Sequence, residues 1–576
     1  MRIRCCNLSL MWKHAELDHQ SGYDRSSIKA LLLGSLVGFL FIGARNVLPW
    51  NDAWLGGKGD LSADHLMWQF FRQTPLIQWP LSAMPNYVAG ADTIFPTGNV
   101  IAPIFAKIIG LVVPGSFQYL GILIVAWFAL QAYFAERLLF RFIADSTFRI
   151  IGSGFFLISP VFIYRISSMG HLHVAAHWLI LAAMYLYFDK QLRVRAWAVL
   201  MALSVFINLY LAVIVVLIFS ASLAREWVGE TRSTFNVQFV KAIRKGTVPA
   251  LSAVLAFVLS GFLAYRGSAG GAGFYRLNVL AFLNPGYSPN GSFSLLVNTI
   301  IPESRRNLFA EEWEGFQYLG LGVIMAIPFL ILLAWRERRN LKRSSWIPIA
   351  LSACLLFVLA LTNKVTLLHF EINYWWPNVL LQFRQIFRGA SRFGFALYYL
   401  ITMGSIVSLS KIFSKRNATI VLGLLLAVSV ADQSAGLRQS HYDLSVEIPF
   451  VSVLMDQQWR EIAINHSKLI VDKNFDLQIE GAVPKNVRIF SDNWYSLDRY
   501  AVEHHMSTNF GYVARQIQAF VKSEDSRVAA ELASGDVDSN AIYLISNEND
   551  WIRYKDLVGN NGRALVLDGF FVIVGQ

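Results

Sequence analysis

From residue 30 to residue 432 the chain is a succession of apolar runs separated by short polar segments, more continuous than the stripe of a half-buried soluble helix. Read as membrane spans, the runs fall near 30–48, 117–139, 150–167, 172–188, 196–208, 210–224, 247–265, 316–335, 346–363, 394–410 and 417–432, about eleven crossings. Several are shorter than the roughly 20 residues a bilayer demands, which helices inside a bundle tolerate. The run 100–113, with Lys107 at its middle and Pro114 after it, reads as an interfacial helix, a span being the alternative. Beyond residue 432 the pattern changes. Helical periodicity at 450–463 and 513–533 alternates with short apolar stretches, KLIVD from Lys468, AIYLI from Ala541, then ALVL and FFVIV near the end. That alternation predicts a small α/β domain. The expected fold class is therefore mainly α, a polytopic transmembrane helical bundle with a small external α/β C-terminal domain.

Charge sets the orientation. Only 15% of the 576 residues are charged against 55% apolar, which excludes a single soluble globule. Residues 433–576 hold 13 basic and 19 acidic residues, so the 37 basic and 19 acidic residues before them carry the whole basic excess. Those cations gather in short loops between apolar runs, chiefly 189–195, 225–246, 336–343 and 411–416, the pattern of cytoplasmic loops and not of a phosphate-tracking groove. Nucleic acid is excluded as a partner. The first run lacks a small-residue cleavage site and reads as a retained anchor. The resulting map is a cytoplasmic tail 1–29, a transmembrane domain 30–432 with external loops 49–116, 266–315 and 364–393, and a periplasmic or extracellular domain 433–576. The expected location is a membrane, the bacterial inner membrane. Cys5, Cys6 and Cys354 form neither a disulfide framework nor a metal-type spacing.

Four segments carry candidate chemistry. In the first external loop Asp52, Asp60, Asp64 and His65 sit beside Trp54, Trp68, Phe70 and Phe71, aromatics suited to stacking on a sugar or shielding a lipid. Partial desolvation there would raise a carboxyl pKa and suit it to general-base work. Asp60 also follows the turn Gly56-Gly57-Lys58-Gly59 and opens a helical pattern, so it is equally placed to cap that helix. In RISSMGHLHVAAHWLIL, His173 and His177 are four apart and would share a helix face, with His171 close by. A divalent metal is possible there, although the His-Glu-x-x-His pattern is missing and lone histidines at helix ends are commonly structural. In LLQFRQIFRGASRFGFALYYL, Arg384, Arg388 and Arg392 recur every four residues and form one stripe if the stretch is helical. External cations oppose the positive-inside tendency, and guanidinium forks match phosphate oxygens. Snorkelling to headgroups or pairing with Glu371 would serve equally. Arg305, Arg306 and Lys364 extend either reading. Finally EEWEGFQYLGLG sets Glu311, Glu312 and Glu314 before an apolar run, and Glu314 with Tyr318, one turn apart, is a second polar contact for the site.

The segments GGKGDLSADHLMWQFFRQ, FQYLG, MGHLHVAAHWLILAAMYLYF, EGFQYLGLG, FRGASRFGFALYYLI and STNFGYVARQ resemble the GT-C superfamily of polytopic membrane glycosyltransferases. More narrowly they resemble a group of bacterial membrane proteins of that type without a settled substrate. The resemblance implies transfer of a sugar from a polyprenyl-phosphate donor to a glycan, lipid or protein acceptor on the external face. It implies an acidic catalytic base soon after the first span, which carried over is Asp60, with Asp52 and Asp64 as rivals. PTGNV at 96–100 stands where the resemblance calls for a second acidic motif. The other class weighed is a lipid-linked glycan flippase or transporter. Charge distributed through the spans would favour the flippase; here titratable groups gather at one face.

Overall fold

A computed structural model describes residues 25–91, 94, 100–113, 115–229, 235–263, 275–286, 293–300, 310–338, 345–367, 370–380, 386–447, 450–474, 485–513 and 517–576. The protein is mainly helical, with a small five-stranded sheet at its C-terminal end. Each apolar run contains a helix, though not every run is helical throughout. Among the described residues five helices are long and apolar enough to cross a membrane: Arg25–Ile42, Leu120–Phe140, Leu209–Trp227, Asn236–Leu259 and Ala390–Ile412. Two bent pairs raise that to seven, Ser146–Leu157 with Pro160–Ile166 and Lys415–Asp432 with Ser434–Ser445. The first bend, 48°, falls where Pro160 removes a backbone donor. Trp178–Tyr187, Val194–Ile207, Leu321–Arg336 and Trp346–Leu361 are shorter apolar helices. Ile101–Gly110 is shorter still than a span, and Lys107 turns back to give hydrogen bonds to Thr74 Oγ1 and Pro75 O. The basic segment 225–246 is not a simple loop, since helix resumes at Phe235 and runs to Leu259.

The helices share a common polarity. At one end Arg141 and Arg193 both reach Asp189, Arg225 donates to the Asp189 carbonyl, and Lys415 pairs with Asp145. Those residues lie at or near the ends of six different helices. The opposite end carries Arg165, Asn208 and Arg392, together with the polar loops. Arg25–Ile42 lies against Leu120–Phe140 because Gly34 and Gly38 leave no side chain between them; a Cβ at Gly34 would meet Phe128 O at 2.4 Å. That packing buries Glu136, which takes Arg149 Nε at 2.6 Å, Ser26 Oγ at 2.7 Å and Ser27 Oγ at 2.5 Å.

The C-terminal sheet has the order β4-β3-β5-β7-β6, with β3 Lys468–Val471, β4 Ser507–Thr508, β5 Ala541–Ile545, β6 Gly562–Leu567 and β7 Phe570–Gly575. β3 is parallel to β4 and β5; β7 runs antiparallel to β5 and β6. A separate pair, β1 Lys364–Leu367 and β2 Phe370–Asn373, lies among the loops. Between bundle and sheet sits the helix Asp60–Arg72, buried from Leu61 to Phe71, as expected of a helix packed on all sides. Its Trp68, Phe70 and Phe71 join Trp459, Phe490 and Phe510 of the C-terminal domain in one core, and Trp54 is buried in the bundle core. The aromatics expected to stack on a sugar or shield a lipid are thus core residues, because two packed layers enclose them.

Removing one partner of a buried ion pair leaves an uncompensated charge, at a cost of about 3–5 kcal/mol. Glu136→Ala should lower stability by that order in detergent unfolding, while the double replacement Glu136→Leu with Arg149→Leu should recover much of it. Equal loss in both variants would contradict the pairing.

Candidate functional site

The site is built from the carboxylate outward. Gly57 and Gly59, both with positive φ, turn the chain into the Asp60–Arg72 helix so that Asp60 is its first residue. Gly59, which has no side chain to cap with, holds the N-cap position, and Asp60 is the residue after it. The capping reading fails because the carboxylate is engaged elsewhere. Its Oδ2 lies 2.5 Å from His171 Nε2, and its Oδ1 accepts the Tyr512 hydroxyl at 2.8 Å. Each oxygen keeps a lone pair, and 31% of the side chain stays open.

Behind His171 lies a closed cationic cluster. Its Nδ1 faces Arg165 Nη1 at 3.4 Å and Arg392 Nη2 at 3.5 Å. Guanidinium only donates, so Nδ1 is the acceptor and the proton offered to Asp60 sits on Nε2. Both arginines converge on Glu314. Arg392 reaches its carboxylate with Nη2 at 2.8 Å and Nε at 3.1 Å, and Arg165 Nη1 reaches it at 3.2 Å while Nη2 holds the Glu314 carbonyl. Ser391 Oγ donates to that carbonyl as well. Gly389 permits the arrangement, since a Cβ there would stand 2.9 Å from Arg392 Nε.

Electrostatics follow from these contacts. Burial works to raise the Asp60 carboxyl pKa, but His171, then the hydrogen bond of Tyr512 and the nearby His173, outweigh it and hold the group below its ordinary range. The expected rise is therefore reversed. Burial likewise opposes ionisation of Glu314, yet Arg392 and Arg165 bring it down to about 2. His173 is pushed well below the usual histidine value by burial, then by His171 and Arg392. His65 falls to about 4, chiefly through burial, with Arg499 adding and Asp52 opposing.

The sequence candidates divide accordingly. Asp60, His171, Arg392 and Glu314 meet, with His173 beside His171, their ring centroids 5.9 Å apart. His173 and His177 share no helix face, because 170–177 is turn and the helix begins at Trp178. His177 is fully buried, its Nδ1 2.7 Å from the Tyr399 hydroxyl. Among the described residues no group of three His, Cys, Asp or Glu side chains is placed to hold a metal. The arginine stripe is also broken: 387–389 is not helical, Arg392 is neutralised by Glu314, and Arg384, Arg305 and Arg306 lie outside the described residues. Arg388 stands apart, half-buried, donating to the Tyr275 hydroxyl at 2.7 Å over that ring, and its Nε has no hydrogen-bond partner among the described residues. Lys364 is on β1, and Glu371 pairs with Arg276 at 2.8 Å, not with the stripe. Tyr318 is not a turn from Glu314, since the helix starts only at Leu321; its hydroxyl reaches Asp432 at 3.3 Å. Asp64 is buried one turn along from Asp60, near Tyr119 and Tyr512. His65 contacts Gln69, and it and Asp52 lie near Arg499 of the C-terminal domain. Tyr512 was missed as a ligand of Asp60, although STNFGYVARQ drew attention to its segment.

Hydrogen bonds to a charged group are worth about 1.5–3 kcal/mol. A carboxyl with a depressed folded pKa contributes stability above the unfolded value, lost as pH falls through the folded one. Tyr512→Phe should thus destabilise by that order at pH 7, and the gap to wild type should close below about pH 4 as Asp60 protonates. A gap unchanged across this range in pH-dependent unfolding would show that the hydroxyl does not act through the carboxylate.

Among solved structures the chain is similar to the Archaeoglobus fulgidus oligosaccharyltransferase tethered with an acceptor peptide containing the NVT sequon, at 12% identity over 91% of this chain and 69% of that one, TM-score 0.41. It is also similar to the archaeal oligosaccharyltransferase AglB from Archaeoglobus fulgidus in complex with an inhibitory peptide and a dolichol-phosphate, at 13% identity over 90% and 69%, TM-score 0.39. No curated protein sequence matches. Residues 458–575 match the DUF6311 C-terminal domain. Residues 31–434, more than half of the chain, match the family described as Domain of unknown function (DUF6311), and the chain belongs to that family.

Proposed function

We propose that the protein is an integral membrane glycosyltransferase of the GT-C type, moving a sugar from a polyprenyl-phosphate-linked donor to an acceptor hydroxyl or amide. The observation that carries this reading is Asp60: an ionised carboxylate left partly open at the edge of a buried cationic cluster, with each oxygen oriented by one fixed donor. In the proposed step the acceptor oxygen or nitrogen attacks the anomeric carbon, whose bond to the phosphate oxygen breaks with its electron pair leaving on the phosphate. The acceptor proton passes to a free lone pair of Asp60. Arg392 and Arg165 do not hold that phosphate in this reading, since both are committed to the Glu314 carboxylate; they fix His171 instead. Arg388 is the donor-phosphate residue, engaged among the described residues by a phenol and an aromatic face, and Tyr275 lies near both it and Tyr512. The GT-C resemblance of the segments containing Asp60, His171, Glu314 and Arg392 supports the same reading. A flippase is disfavoured because the buried charges here close into pairs and do not line a path.

Proteoliposomes supplied with polyprenyl-phosphate-linked monosaccharides and membrane-extract acceptors provide the assay. Asp60→Asn should reduce transfer by about 10²–10⁴, the usual worth of a positioned base, with the fold retained. Retention of a third of the activity would sink the assignment. Arg388→Lys keeps charge but loses the fork, and should weaken donor binding by about 1–3 kcal/mol in a titration with polyprenyl phosphate. Unchanged affinity would remove Arg388 from the site.

The reading also places the site and the C-terminal domain on the outer face, because the cationic helix ends gather at the opposite side. In a background lacking native cysteines, Ile464→Cys in the C-terminal domain should react with an impermeant maleimide added to intact cells. Asn417→Cys, beside Lys415, should react only after lysis. The reverse pattern would invert the topology.

A further inference from the structure

The β1–β2 pair has its faces the wrong way round for water. In the register Lys364↔Asn373, Val365↔Ile372, Thr366↔Glu371 and Leu367↔Phe370, alternation puts Lys364, Thr366, Glu371 and Asn373 on one face and Val365, Leu367, Phe370 and Ile372 on the other. The polar face turns inward at its centre, at Thr366 and the Glu371 carboxylate, while Lys364 and Asn373 at its open end are exposed. Thr366 is fully buried with its hydroxyl on Glu312, its carbonyl accepts Val279 N at 3.0 Å, and Glu371 takes the buried Arg276 at 2.8 Å. On the apolar face Val365 packs partly against the bundle core, and beyond it the face turns outward, with Phe370 60% and Ile372 65% exposed. The chain continues in the same way, Trp375 being 80% and Val379 74% exposed. An antiparallel sheet with one solvated face keeps its apolar side on the core; here three of the four apolar-face residues, Leu367, Phe370 and Ile372, are exposed instead.

What covers the outer face is indicated by the element that leads into it. The apolar helix Trp346–Leu361 exposes Leu351, Leu355 and Val358 along one side and ends two residues before Lys364. That exposed apolar side is suited to lipid, and the chain leads from it into the exposed apolar residues of the strand pair, with Tyr374 and Trp375 adding the amphipathic rings typical of the membrane interface. We propose that β1, β2 and the segment 374–380 form a wedge seated in the hydrocarbon of the leaflet on the site's side, with lipid tails as the occupant of its apolar face. Arg276, clamped between Glu371 and Glu312 at 2.8 Å and 3.6 Å, is what holds the polar side of the wedge to the protein. The wedge reassigns part of the loop 364–393 from the aqueous phase to the membrane, and it holds whatever chemistry the site performs.

The test needs no substrate. Nitroxide labels at Ile372→Cys and Val379→Cys, each in a chain with Cys5, Cys6 and Cys354 replaced by serine, are compared with one at the exposed polar-face position Asn373→Cys, in liposomes of phosphatidylethanolamine and phosphatidylglycerol. Power-saturation measurements should give the labels at 372 and 379 a ratio of oxygen to nickel-chelate accessibility several-fold above that at 373. A chelate accessibility equal to or above that of oxygen would put the face in water and overturn the proposal. Low accessibility to both reagents would mean that protein, a second copy included, covers the face, and would overturn it equally. If the Ile372 variant does not fold, the label at 379 decides by the same criteria.

Discussion

Glu314 holds the polar end of the bundle together. Two guanidinium groups, Arg165 from the broken helix near residue 160 and Arg392 from the start of the Phe395–Ile412 helix, are fully or largely buried within hydrogen-bond reach of one another's partners, and neither would be tolerable there alone. A carboxylate held at about 2 stays ionised and supplies the compensating charge. The arginines in turn fix the acceptor side of His171, which aims its donor at Asp60. Three elements far apart in sequence are thereby locked into one geometry, and the open carboxylate is its outermost member.

The C-terminal domain completes that geometry. Tyr512 closes the second Asp60 oxygen, and its segment is fastened to the loop that follows the Asp60–Arg72 helix: Tyr512 N donates to the Tyr87 hydroxyl at 2.6 Å, which also lies 3.2 Å from Asp498, and Ala89 N donates to Thr508 O at 2.6 Å. Gly511 lets the backbone pass the Tyr87 ring, where a Cβ would stand 2.4 Å away. Asp498 itself is fully buried and its pKa is driven well above the carboxylate range by burial, so its neutral form suits the interface. With the Asp60–Arg72 helix buried between bundle and sheet, the domain is part of the site's wall and not an appendage to the membrane region.

The hydrophobic pattern along the chain was decisive for the helices, since a run that must be solvated by lipid or by other helices admits few alternatives, and the short strands KLIV, AIYLI and FFVIVG were equally readable from their bounds. Asp60, His171, Arg392 and Glu314 were recognisable as chemistry because charged and imidazole groups beside apolar spans are costly unless they are used. Their partnerships were not legible. Arg392 and Arg388 are four apart and looked equivalent, yet a bend at 387–389 sends one to Glu314 and the other to Tyr275. His173 and His177 likewise lost their common face to a turn. Spacing specifies a face only where the backbone is regular, and the site lies where helices stop. The sequence by itself determined which segments are helices or strands, the excess of cations at one set of loops, and the acids and bases available at the other. Only the tertiary structure decided which carboxylate stays open, which arginines are neutralised and which phenol caps Asp60. Those outcomes depend on pairings across 78 to 452 positions of chain, whose energies are set by burial and distance and leave no periodic trace.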